Sequence, residues 1–165
     1  MTAPALTADE MLLWHTQTSD RLRGLLEQHP EALAFPCDIA KTSTLGGLLQ
    51  HIVAVELRYA ERLAGEPATE YDTIPYGTVA EVYATHDRAM ELYRKVLADS
   101  SVNWDEEIEF VTRSLGSMVA TRKAVFFHAL THAIRHYAQI TTLLRQHEIT
   151  MKFPLDYLFV AARRV

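Results

Sequence analysis

The 165-residue sequence contains a single cysteine, Cys37. One thiol can form neither an intrachain disulfide nor a cluster of thiolates around a metal ion. Any metal site in this chain must therefore use nitrogen and oxygen ligands. Cys37 falls in a predicted loop with no base placed for it, so we interpret it as an incidental residue rather than a nucleophile.

Long apolar runs and an excess of positive charge are also missing. No run approaches the roughly 18 apolar residues of a membrane span, and the start, MTAPALTADE, has neither the basic nor the apolar region of a signal peptide. The formal net charge is −5, with no basic stripe that would contact a phosphate backbone. We therefore expect a cytoplasmic protein with no membrane and no nucleic-acid partner.

Glycine and proline are scarce, with six of each, while 48% of the residues are hydrophobic and 22% are charged. This composition is that of an ordinary globular protein rather than of a disordered chain. No internal repeat or linker divides the sequence. The length therefore predicts one domain over residues 1–165.

Four long segments carry apolar residues at helical spacing, and each follows a residue suited to capping a helix. The capping box Thr7-Ala8-Asp9-Glu10 predicts a first helix over about 8–28, and the cluster Thr42-Ser43-Thr44 a second to about residue 64. A further capping box at Thr78 predicts a third helix to about residue 98. Thr121 begins a fourth, which continues to about residue 147.

The connections differ in composition. Residues 65–77 contain two prolines and two glycines, which favours a loop. Residues 103–121 are rich in strand-forming residues around the turn Ser114-Leu115-Gly116-Ser117, which predicts a short β-hairpin. A last segment of one or two helical turns begins at Lys152-Phe153-Pro154. The sequence thus predicts an all-α four-helix bundle, with the hairpin in a long crossover from one end of the bundle to the other before helix 4, and a short C-terminal segment.

The stretch FFHALTHAIRHYAQ places His128, His132 and His136 at four-residue intervals. Residues i and i+4 of a helix share a face, whereas i and i+8 lie about 12 Å apart, so one metal can bind only an adjacent pair. The apolar stripe of this helix contains His136 and has His132 at its border, while His128 lies further out. We therefore expect His132 and His136 to point toward the bundle interior.

A third ligand is expected on a facing helix. His51 is one turn from Leu48 and Val55 in the second predicted helix, and His15, Glu56 and His86 are weaker candidates. Three imidazoles suit Zn, Ni, Cu or Fe and leave a coordination position open. Hydrogen-bonded core histidines without a metal remain an alternative explanation of the same spacing.

Other polar residues receive simpler interpretations. His128 is solvated or an alternative ligand, and it is a weak candidate for a catalytic base, as is Glu56, which we otherwise interpret as a surface charge that can orient His51. Tyr59 and Tyr137 are interpreted as packing residues with a polar tip. The remaining histidines are predicted to be at the surface: His15, His29, His86 and His147.

The segments LGGLLQHIVAVELRYAERLAG (45–65) and HALTHAIRHYAQI (128–140) resemble the DinB-like family of four-helix bundles. The resemblance covers nearly the whole chain, including Gln139. It implies that His51, His132 and His136 bind a divalent metal, zinc or nickel. The chain departs from the family's pattern beside these ligands, at Ala133, Arg135 and Tyr137-Ala138.

The resemblance also implies two chemistries, metal-assisted hydrolysis and transfer that depends on a low-molecular-weight thiol. Three neutral ligands leave the ion its full charge, which can activate water, polarise a carbonyl or stabilise a thiolate. We therefore expect a metal-dependent hydrolase or thiol-dependent S-transferase acting on a small molecule, with Arg58 and Arg135 as candidates to line a thiol pocket. The alternatives are a non-catalytic metal- or ligand-binding stress-response bundle and a bundle without metal. A homodimer is compatible with the resemblance.

Overall fold

The computed structural model describes residues 4–112 and 116–163, so Ser114 and Leu115 of the predicted turn and the first three residues of the chain lie outside the described part. None of the described helices is long and apolar enough to cross a membrane. The elements, in chain order, are α1 Ala8–Gln28, α2 Leu45–Leu63, α3 Val79–Ala98, β1 Glu107–Thr112, β2 Gly116–Thr121, α4 Arg122–Gln146 and α5 Tyr157–Ala161. Short 3₁₀ turns occur at Pro30–Ala34, Ile39–Lys41 and Tyr71–Thr73.

The four long helices begin where their capping residues predict. The side-chain oxygens of Thr7, Thr44, Thr78 and Thr121 each accept a hydrogen bond from a backbone N–H in the first helical turn. Such a bond satisfies one of the donors that a helix start leaves unpaired. All four predicted helices are confirmed, and their ends agree with the prediction to within one residue.

The long helices pack as a bundle around two apolar clusters, one near each end. The first cluster includes Leu26, Leu48, Val82 and Ile140, and the second includes Met11, Leu57, Met90 and Phe126. The first cluster thus takes the ends of α1 and α4 and the beginnings of α2 and α3. It follows that α1 and α4 run in one direction and that α2 and α3 run in the other. The predicted all-α fold is confirmed.

The connection between α2 and α3 crosses the length of the bundle, since α2 ends in the second cluster and α3 begins in the first. It is held along α2 by the buried carboxylate of Glu61, which accepts hydrogen bonds from the backbone and the side chain of Thr69 at 2.7 and 2.6 Å. Gln50 Nε2 donates to the carbonyl of Ile74 at 2.8 Å. The sequence assigns the crossing to the connection before helix 4, and this detail is corrected, because α3 ends and α4 begins in the same cluster.

The predicted hairpin is present before α4. Strands β1 and β2 pair antiparallel, with Glu107 opposite Thr121 and Thr112 opposite Gly116. Phe110 packs edge-on against Tyr59 of α2, with ring centroids 5.7 Å apart. The hairpin therefore forms a wall beside α2.

The C-terminal segment lies against α1. Trp14 Nε1 donates to the carbonyl of Leu155 at 2.6 Å, and the Trp14 ring meets that of Tyr157 edge-on at 5.8 Å. The short helix is confirmed, but it begins at Tyr157 rather than at Pro154, after Asp156 in extended conformation. The residues before this helix contact α1, and a local sequence pattern does not reveal such contacts between distant segments.

Candidate metal centre

Three histidines from two helices converge on one point. The Nε2 atom of His132 lies 3.0 Å from Nε2 of His51 and 3.2 Å from Nε2 of His136. The candidate ligand atoms of the three residues all lie within 4.8 Å of one another. The structure therefore brings together the three residues that the sequence selects as candidate ligands.

The local sequence explains this convergence. His132 and His136 are one turn apart on α4 and both are buried, with 8% and 3% exposure. Ala129 and Ala133 on the same helix are fully buried, and their small side chains allow bulky imidazoles to pack beside them. His51 is half-buried on α2, which packs against α4. Nitrogen ligands around tetrahedral zinc are about 3.3 Å apart, so the two short Nε2 separations fit a small divalent ion.

The imidazoles of α4 are held in the neutral form. Burial, together with the neighbouring His136 and His51, lowers the pKa of His132 to about 3. Burial also lowers the pKa of His136, although its hydrogen bond to Gln139 opposes the change. Neutral imidazoles have a free ring nitrogen lone pair, which is the form that binds a metal.

Two neighbours on α4 act directly on His136. Its Nδ1 lies 2.6 Å from Oε1 of Gln139, so Nδ1–H donates to the amide oxygen and the Nε2 lone pair faces the other imidazoles. Arg135 Nη2 lies 3.3 Å from the same Nε2. His132 Nδ1 is buried and has no hydrogen-bond partner among the described residues. Of the two candidate ligands on α4, only His136 therefore has a supporting hydrogen bond at Nδ1 within the described residues.

A cavity of about 520 Å³ opens beside the histidines. His51 and His132 line it together with apolar side chains of the hairpin, among them Phe110 and Met118. Three arginines also line it: Arg58, Arg62 and Arg135. Within the described part of the chain, its lining includes no Asp or Glu. The cavity has the size of a small-molecule site, and it is cationic in a chain of net charge −5.

His128 lies on the wall of this cavity rather than among the converging atoms. Its ring centroid is 5.6 Å from that of His132 and 5.7 Å from that of Tyr59. Partial burial and the nearby Arg135 charge lower its pKa, so it is neutral near pH 7. A neutral imidazole at the cavity wall can accept a proton from a bound ligand.

A second polar group occupies the interior of the bundle, and it corrects three predictions. His15 and His86 are not at the surface, with 0% and 2% exposure, and Glu56 is not a surface or rim charge but fully buried. His15 Nε2 lies 2.8 Å from one carboxylate oxygen of Glu56, and His86 Nδ1 lies 2.8 Å from the other. The hydroxyl of Tyr137, confirmed as a packing residue with a polar tip, donates to Glu56 at 3.2 Å.

Glu56 remains ionised inside the core. Burial alone would raise its pKa, but the charges and hydrogen bonds of His86 and His15 outweigh burial and lower it. Burial lowers the pKa of His15, whose Nδ1 has no partner among the described residues. In both contacts an imidazole N–H, Nε2–H of His15 and Nδ1–H of His86, donates to the carboxylate.

The same test that placed His136 in an apolar stripe would have indicated that Glu56 and His86 are buried, although not that they meet. Glu56 follows Ile52 and precedes Ala60, both fully buried, and His86 lies between Val82 and Ala89, which are also fully buried. The charge of Glu56 and the polarity of the imidazoles favoured a surface interpretation, since single ionisable residues are mostly exposed. His147 is exposed and His29 partly exposed.

The fold and the geometry together thus define the class of protein: a four-helix bundle with inward-facing histidines that can hold a metal ion. The DinB family model matches residues 1–156. The chain belongs to the DinB family, as the segments of α2 and α4 that carry His51, His132 and His136 indicate. No curated protein matches it in sequence.

Proposed function

We propose that this protein holds one divalent metal, zinc or nickel, through His51, His132 and His136, and that it is a metal-dependent enzyme acting on a small organic anion. The observation that carries this proposal is the convergence of three Nε2 atoms at the wall of a cavity. Imidazole ligands favour these metals over magnesium or calcium, which prefer oxygen ligands. The bound ion would supply a Lewis acid with its full positive charge, since the three ligands are neutral.

The cavity wall supports an anionic substrate. Arg58, Arg62 and Arg135 line it without a carboxylate to neutralise them among the described lining residues. Arg58 and Arg62 also donate to the carbonyls of Thr69 and Val111, which fixes their side chains in place. Guanidinium groups bind carboxylates and phosphates in defined geometry. The apolar wall formed by the hairpin would contact the uncharged part of the same molecule.

The choice between thiol-dependent S-transfer and hydrolysis depends on the proton acceptor and on the cavity beside the triad. Glu56, one of the two candidate bases, is turned into the core and bonded to His15 and His86, which leaves His128 at the cavity wall. A bound metal lowers the pKa of both water and a thiol, so His128 can accept the proton in either reaction. We place S-transfer first because the arginine-lined cavity beside the triad has room for an anionic thiol as a second reactant, whereas attack by water needs no such pocket.

A non-catalytic metal-binding bundle is the remaining alternative. A structural metal site is closed by protein ligands, whereas a catalytic one keeps an open position. The cavity beside His51 and His132 supports the open kind. A non-catalytic bundle would accordingly bind the metal but show no turnover in the experiment that follows.

The experiment measures the turnover of 1-chloro-2,4-dinitrobenzene and a thiol by metal-loaded, untagged protein. Transfer forms a carbon–sulfur bond and releases chloride, with the thiol proton passing to His128 or to buffer. We expect faster turnover with anionic mercaptoacetate than with neutral mercaptoethanol, and no enzymatic turnover in His132→Ala. Hydrolysis of 4-nitrophenyl acetate without thiol would instead favour the hydrolase. Absence of both activities would favour the non-catalytic alternative.

A further inference from the structure

The group around Glu56 joins all four long helices. Its carboxylate receives His15 from α1, His86 from α3 and Tyr137 from α4, at 2.8, 2.8 and 3.2 Å. The His15 and His86 rings stack with their centroids 5.5 Å apart, which brings both ring nitrogens to the same carboxylate. On α2, Glu56 lies at the boundary between residues of the first apolar cluster and residues of the second. The polar group therefore separates the two halves of the core.

The buried charge has no permanent cation beside it. Within the described residues, no Lys or Arg hydrogen-bonds to or pairs with the Glu56 carboxylate, whose partners are two imidazoles and a phenol. A buried carboxylate needs hydrogen bonds and a positive charge beside it, and here either an imidazolium or a divalent ion held by the same imidazoles can supply that charge. The ligand atoms of His15, Glu56 and His86 lie within 4.8 Å of one another, as those of the triad His51, His132 and His136 do.

We propose that His15 Nε2, the Glu56 carboxylate and His86 Nδ1 form a second divalent-cation site, with the Tyr137 hydroxyl as the fourth ligand. Two imidazoles and a carboxylate are a ligand set that zinc accepts, and four protein ligands make a closed site. The contacts of 2.8 Å must widen by about half an ångström to reach the ligand spacing around zinc. This site is independent of the triad and of any activity there, and its role is to join the helices.

Burial determines how this second site would load. His15 and Glu56 are fully buried, so the ion can enter and leave only when the bundle opens locally. When a metal binds Nε2 of His15, the ring proton lies on Nδ1, which has no hydrogen-bond partner among the described residues. Nδ1 of His132 in the triad also has no described partner, so this feature does not distinguish the two sites. We therefore expect slow exchange at this site and fast exchange at the triad, which opens on the cavity.

The test counts zinc by elemental analysis on untagged protein that has been unfolded with chelator, refolded with zinc and passed through a desalting column. We expect two equivalents in the wild type, one in His132→Ala, one in Glu56→Gln and none in the double variant. His147→Ala, which removes an exposed histidine outside both groups, should retain two. In His132→Ala, the remaining equivalent should resist a brief chelator treatment and raise the melting temperature.

One equivalent in the wild type and none in His132→Ala would overturn the proposal, because the triad would then account for all the metal. Two equivalents in Glu56→Gln would overturn it as well. If Glu56→Gln does not fold, His86→Gln is measured in its place. The zinc count of His132→Ala also tests the second site by itself, because that variant leaves His15, Glu56 and His86 unchanged. A missing activity at the triad would leave these counts unchanged, so the two proposals fail separately.

Discussion

The Nε2 atoms of His51 in α2 and His132 in α4 lie 3.0 Å apart, although 81 positions separate the two residues in the chain. Two imidazolium groups cannot occupy this geometry, because their like charges would repel at close range. The pair must share a proton or a cation. The packing of α2 against α4 thus creates a site that neither helix has alone.

Gln139→Leu should weaken metal binding at the triad by about 10- to 100-fold, because it removes the acceptor that orients His136. Competition with a chromophoric chelator measures the affinity. Gln146→Leu, an exposed change on the same helix, is the matched control. Equal affinities for Gln139→Leu and the wild type would show that the 2.6 Å contact does not support the ligand.

Arg135→Met should raise KM for mercaptoacetate about tenfold and leave KM for mercaptoethanol nearly unchanged. A charge-assisted hydrogen bond contributes roughly 1.5–3 kcal/mol, and about 1.4 kcal/mol is a factor of ten. Arg145→Met, an exposed arginine of α4 outside the cavity, is the control in the same steady-state assay. An equal change for both thiols would contradict a role in recognising the anion.

The elements were predictable because their causes are local. Capping residues and helical apolar stripes lie within a few positions of each other in sequence, and they placed all four long helices. The direction of the α2–α3 connection depends on Glu61 meeting Thr69 and on Gln50 meeting Ile74, contacts that a sequence pattern does not specify. The sequence therefore indicated the length of the α2–α3 connection but not its path along the bundle.

The candidate site residues were also predictable only in part. Spacing on α4 and one facing histidine were enough to select the three converging residues. The Glu56 group was missed because each member occurs alone on its helix, and only the assembled bundle brings His15 and His86 to the carboxylate. Residue type favoured the surface for each, and tertiary pairing reversed that preference.

Glu56→Ala should lower the free energy of unfolding by about 3–5 kcal/mol, since it removes the shared acceptor of two buried imidazoles. Urea denaturation of the metal-free protein measures the change. Glu91→Ala, an exposed acidic residue of α3, should cost less than about 0.5 kcal/mol. Similar losses for the two variants would contradict the buried network.

Acid should destabilise the metal-free protein from about pH 6.5 downward. The pKa values of His15 and His132 are lowered in the folded state, that of His132 to about 3, mainly by burial. The unfolded chain therefore binds protons at these histidines at a pH where the folded chain does not, and stability falls as the pH falls. The lowered pKa of Glu56 adds a loss in the same direction below its ordinary value of 4.5.

Urea midpoints measured in chelator at about pH 7.5, 6.5, 5.5 and 4.5 check this prediction. His132→Gln, which cannot take up the proton, should show a shallower dependence than the wild type. His147→Gln, which changes an exposed histidine, should follow the wild type. A midpoint that stays constant across this range would contradict the buried, neutral histidines.

The most direct measurement is the metal content of untagged protein for the wild type, His51→Ala and His132→Ala, with His147→Ala as control. We predict that each triad substitution removes one equivalent of zinc or nickel relative to the wild type and that the control removes none. A wild type without metal, even after reconstitution, or a metal content unchanged by both triad substitutions would contradict the assignment of His51, His132 and His136 as ligands.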